Sequence, residues 1–154
     1  MNRPHIHKHR GFTLLEVLIA LLVLSIGLLG LAALQTSGLR SNQMATMRTL
    51  ATQIAYDMTD RMRANPTGMT NLEYVIATDE TPAASPATTA EIDLTEWRDQ
   101  VARLPGGLSS ITRSAGPPVT HEITVYWDEE RKGAVLGSCP PADNTELRCL
   151  RLTM

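Results

Sequence analysis

The stretch RGFTLLEVLIALLVLSIGLLGLAAL, residues 10–34, decides how the rest of the chain is read. From Phe12 to Leu34 it holds 23 residues, and 18 are apolar; the exceptions are Thr13, Glu16, Ser25, Gly27 and Gly30. As a helix it would be roughly 35 Å long, enough to span a bilayer. Arg3, Lys8 and Arg10 stand before it and favour an orientation with the N-terminus in the cytoplasm. A conventional cleaved signal peptide fits poorly. Its apolar region is about 7–15 residues and ends at a small-residue site, whereas here Ala32-Ala33 run on into Leu34-Gln35. The anomaly is Glu16, the fifth residue of the run. A carboxylate at membrane depth costs several kcal/mol unless it is paired, so such residues are functional by default. The plain alternative is an acid near the interface that snorkels to water.

Length and charge narrow the remainder. The 154 residues suit one ordinary domain, and much of the N-terminal quarter is apolar helix. Net charge is −2, and without residues 1–11 it becomes −5 (11 Lys+Arg against 16 Asp+Glu). That acidic remainder disfavours nucleic-acid binding. Two small basic pairs stand out, Arg98 with Arg103 and Arg148 with Arg151. The cysteines, Cys139 and Cys149, would form one disulfide in an exported protein and would be thiols or metal ligands in a cytosolic one. His5, His7 and His9 resemble a metal tract, but they lie in the basic leader.

Arg10-Gly11-Phe12-Thr13-Leu14-Leu15-Glu16, followed by the long apolar helix, resembles the type IV pilin family. The resemblance implies that prepilin peptidase cuts between Gly11 and Phe12 on the cytoplasmic side and methylates the new Phe12 amine. The helix is then retained. It implies that Glu16 attracts the charged N-terminus of a neighbouring subunit during assembly, which would supply the missing partner. Within the family the chain looks most like a minor pilin of the PilV, or pilus modification, type. That finer likeness rests on DRMRANP (60–66), WRDQVARLPGG (97–107) and ITVYWDE (123–129). The expected partners are other minor pilins, the major pilin, prepilin peptidase and the inner membrane, with the C-terminal domain in the periplasm until it enters the pilus. A pseudopilin of type II secretion shares the leader and Glu16. An unprocessed membrane-anchored binding module is a third reading.

Residues 36–65 continue the helix. Met44, Met47, Ala51, Ile54, Met58 and Met62 recur at spacings of three and four, which marks an amphipathic face. Asn65-Pro66 ends it. The organisation expected is therefore a leader (1–11), a membrane half-helix (12–34), an amphipathic half-helix (35–65) and a globular domain (66–154). Residues 77–90, rich in Thr, Ala and Pro, read as a surface loop. Residues 92–107 read as a short helix with Asp93 as its cap and Glu96 completing the box. Its apolar face would be Leu94, Trp97, Val101 and Leu104.

Strands are expected at 108–114, 119–127 and 146–154. In the second, Val119, His121, Ile123, Val125 and Trp127 alternate with polar residues. In the third, Leu150, Leu152 and Met154 share a face. This order resembles the pilin fold: α+β, a long N-terminal α-helix packed on an antiparallel β-sheet, with a C-terminal disulfide, here Cys139 to Cys149. No catalytic constellation, cofactor motif, metal set or small-molecule site is expected. Asp128, Glu129 and Glu130 read as a solvated turn, and Ser109-Ser110 sit in no nucleophile elbow.

Overall fold

The computed structural model describes residues 11–143 and 145–154. The leader expected over 1–11, with its three histidines, lies outside the described residues except for Gly11. The elements run α1 (Leu14–Ala64), α2 (Pro66–Thr70), α3 (Thr89–Val101), β1 (Leu108–Arg113), β2 (His121–Trp127) and β3 (Arg148–Thr153). The chain divides into two compact units at Asn42/Gln43, inside α1.

The N-terminal unit carries the first part of α1. The helix starts at Leu14, two residues later than the apolar run. Thr13 acts as its cap, its Oγ1 accepting from the Glu16 N–H at 3.2 Å. Its large apolar side chains, from Phe12 to Leu39, are exposed. Ser25 and Thr36 satisfy their hydroxyls within the helix, Ser25 donating to the Leu21 carbonyl and Thr36 to the Ala32 carbonyl. A helix so arranged presents little but hydrocarbon, as a bilayer requires. It is long and apolar enough to cross one.

In the C-terminal unit the same helix becomes one-sided. Met47, Ala51, Ile54, Met58 and Met62 are buried, as their spacing predicts, and Met44 is half-buried at the start of the stripe. Asn65 ends α1 and its side chain accepts the Gly68 N–H, starting α2 with Pro66 in its first turn. The sheet is antiparallel in the order β1-β2-β3. Ile111 faces Ile123, and Ile123 faces Leu152. Trp97 of α3 is fully buried and donates its indole N–H to the Ile54 carbonyl at 3.2 Å, joining the two helices. The fold is thus α+β: the long helix, a small three-stranded sheet and a Cys139–Cys149 disulfide near the C-terminus.

Two local expectations are corrected. The cap of α3 is Thr88, not Asp93. Thr88 Oγ1 accepts from the Glu91 N–H, and Glu91 accepts from the Thr88 N–H, so the box is T-x-x-E one turn earlier. Asp93 is then free to face inward, toward Arg61 and Tyr74. Val119 lies outside β2 and is exposed. The Gly116-Pro117-Pro118 turn precedes it, and the ladder begins only at His121.

Candidate functional site

At the N-terminus the residues singled out by sequence fall on one helix stripe. Phe12, Glu16, Ala20 and Leu24 are spaced by four, with Val17 and Leu21 alongside, and they line a common shallow groove. Phe12 is 81% exposed and Glu16 is exposed as well. Among the described residues no cation pairs with Glu16. The stripe therefore presents one acid in an otherwise apolar surface, four residues from Phe12, the residue that cleavage after Gly11 would make the new N-terminus. Chemically it can attract a cation brought from outside the chain. Among the described residues nothing lies within 4 Å of a Cβ placed at Gly11.

The C-terminal unit holds a second set of charged groups that the sequence did not reveal. Asp128 and Glu129 are each 7% exposed, so the expected solvated acidic turn is overturned for these two. Each carboxylate has a specific occupation. Asp128 accepts from the Gly133 and Ala134 N–H groups at 2.7 and 3.1 Å. Burial pushes its pKa up, but the Ala134, Gly133, Lys132 and Arg131 N–H groups outweigh it and hold the group below the usual aspartate value. Glu129 accepts both arms of the Arg48 guanidinium, at 2.6 and 3.0 Å, and lies 3.5 Å from Arg148. Long-range pairing is what buries it. Arg48 is 81 residues away in sequence, so no local pattern could have signalled the contact.

Arg61 forms a similar hub. It contacts Asp57, Asp93 and Glu96 at 2.9, 3.1 and 2.7 Å. Chiefly the bond to Glu96, with those to Asp93 and Asp57, raises its already high pKa. Tyr74 donates to Asp93 at 2.6 Å, and burial together with that bond pushes its pKa up to about 12. The i,i+4 pair of Asp57 with Arg61 was legible; its extension to α3 was not. Glu146 organises the disulfide loop by accepting from the Ser138 and Ala142 N–H groups at 3.1 and 2.8 Å. Its side chain packs so closely on Gly137 that a Cβ there would collide with it. His121 is buried with Nε2 unpartnered, and burial, then Arg113, lowers its pKa. These groups are structural ties in a packed unit. No set of three or more His, Cys, Asp or Glu able to hold a metal occurs among the described residues.

Residues 6–32 match the prokaryotic N-terminal methylation motif. The match covers Gly11-Phe12, Glu16 and most of the exposed apolar helix, and stops before the globular unit. It marks a protein with a type IV pilin or pseudopilin signal. Neither curated proteins nor solved structures yield a match to the chain.

Proposed function

We propose that this chain is a minor pilin of the PilV type, which primes or joins a type IV pilus. One observation carries the reading: the methylation motif over residues 6–32 opens onto an exposed apolar helix whose lone acid is Glu16. In this reading prepilin peptidase cuts after Gly11 and methylates the Phe12 amine. The helix holds the subunit in the inner membrane, with the C-terminal unit in the periplasm. Glu16 then pairs with the Phe12 amine of an adjacent subunit as the chain leaves the bilayer. Opposite charges attract strongly in low dielectric, and either one left unpaired there is costly. The role is structural and non-catalytic, with other minor pilins and the major pilin as partners.

Mass spectrometry of the native protein tests the premise. The expected chain runs from Phe12 to Met154, 143 residues, with one methyl group on its amine. Intact Met1, or a start near Gln35, overturns the reading and favours an uncut anchor. Glu16→Ala should be processed and inserted normally yet enter filaments poorly. Glu16→Gln should match Ala if charge dominates. Entry of Glu16→Ala at the wild-type level, in cells lacking any wild-type copy, removes the pairing role. A type II secretion pseudopilin satisfies the same motif. Recovery of the processed chain in sheared pili favours the pilus, and loss of secretion without loss of pili favours the pseudopilus.

A further inference from the structure

The sheet stops at β3 with its outer edge open. His121 and Met154 exchange both backbone hydrogen bonds, each 2.9 Å. Such pairs recur at every second residue of an antiparallel ladder. The N–H and C=O groups of Arg148, Leu150 and Leu152 therefore face β2, and those of Cys149, Arg151 and Thr153 face away. Among the described residues no hydrogen bond reaches these outward groups.

The core is open at the same edge. Ile123, Val125 and Trp127 of β2 are buried, whereas Leu150, Leu152 and Met154, packed on the same core, remain partly exposed. A groove of about 330 Å³ lies there, lined by Arg48, Thr52, Trp127, Arg148 and Leu150 among others. The Trp127 indole N–H beside it is buried and has no partner. The place of a fourth strand has been started. Val135 donates to the Thr145 carbonyl at 3.0 Å and accepts from the Leu147 N–H at 2.8 Å, a single parallel bridge on β3's outer side. The chain then leaves for Cys139, with Val135 and Leu136 exposed.

Charge decides what fits the vacant position. Arg151 stands at the middle of the free edge and pairs with Glu122 at 3.2 Å. β3 contains two arginines and no acid. Two copies paired antiparallel through β3 and centred on Arg151 would set arginine directly opposite arginine, which is destabilising. An acid-bearing strand is complementary instead. We propose that the free edge of β3 takes up an extended segment of a different subunit of the filament. An acidic side chain of that segment lies beside Arg151, and an apolar one covers the groove at Leu150. This is strand addition, with backbone bonds supplying affinity and alternate side chains supplying specificity. It rests on the filament reading above.

The test uses the full-length chain in its own cells, with a photoreactive benzoylphenylalanine at Thr153. The expected adduct is with another filament subunit and maps to an extended, acid-bearing segment. Arg151→Pro removes an outward N–H and the charge while sparing the β2–β3 ladder. It should lower adduct yield at least tenfold, Arg151→Gln several-fold, and Arg151→Lys little. An adduct with a second copy, an adduct on a helix, or undiminished yield in Arg151→Pro overturns the proposal. Oxidation of Cys139 to Cys149 reports whether the proline variant folds. Should it not fold, amide exchange at Cys149, Arg151 and Thr153 of the wild-type chain decides. At least tenfold slower exchange in filaments than in the extracted subunit supports the added strand, and equal exchange overturns it. A processed chain that enters filaments but gives no adduct defeats the edge alone. A chain that keeps Met1 and enters no filament defeats both readings.

Discussion

Arg48→Met should destabilise the C-terminal unit more than Glu129→Gln does, although Arg48 is by far the more exposed partner. The Arg48 side chain is 63% exposed and that of Glu129 only 4%. Removing the arginine strands a carboxylate away from water, with Arg148 at 3.5 Å as the remaining cation. Two charge-assisted bonds are lost, at about 1.5–3 kcal/mol each, and water competes for the exposed half of the pair. The net cost expected is about 2–3 kcal/mol. Glu129→Gln instead releases two guanidiniums that water can reach, and the amide oxygen still accepts one bond, so about 1 kcal/mol is expected. Trp97 and Trp127, the only tryptophans, both lie in this unit, so their fluorescence follows its unfolding without signal from the membrane segment. For a domain of this size 1 kcal/mol moves Tm by about 4 °C. In detergent-solubilised full-length protein, Arg48→Met should lower Tm by about 8–12 °C and Glu129→Gln by about 4 °C. The double variant should lose less than the sum, because each change removes the same bonds. A larger loss in Glu129→Gln than in Arg48→Met would refute the reasoning, for it would mean that Glu129 is not held out of water.

Thr88→Ala should lower stability by about 1 kcal/mol through loss of the α3 cap. Asp93→Ala should cost more, about 2 kcal/mol, because it leaves the buried Tyr74 hydroxyl without its acceptor; equal Tm losses for the two would return Asp93 to the capping role. Replacing Cys139 and Cys149 with serine should cost about 2.5–3 kcal/mol in the chain-entropy model for the loop they close, read as a lower urea midpoint. His121 supplies a pH test. Burial and Arg113 depress its pKa below 6.5, so folding favours the neutral imidazole. Its contribution is present above pH 6.5 and is lost as pH falls through the folded value. His121→Gln should therefore flatten the dependence of Tm on pH below about 6.5. An unchanged slope would show that other groups set the acid limit.

What the sequence determined by itself is whatever a short window encodes. Gly11, Phe12 and Glu16 stand within six residues, and the apolar run follows directly, so the methylation motif and the long apolar helix were legible. The methionine stripe gave the buried face of α1, because a period of 3.6 is local. Alternation gave β2, and leucine spacing gave the inward face of β3. Even the true cap of α3 was present as Thr88-Thr89-Ala90-Glu91, but Asp93-Leu94-Thr95-Glu96 offered a competing box in the same window. Only the fold chose between them, because Asp93 is drawn to Arg61, 32 residues away. The burial of Asp128 and Glu129 had no local sign at all. A DEE run is solvated unless distant arginines and turn amides converge on it, and that convergence requires α1, β2 and β3 to be packed together. The open edge of β3 belongs to the same class. A strand's sequence shows which face is apolar, but only the strand order shows which strand is left without a neighbour.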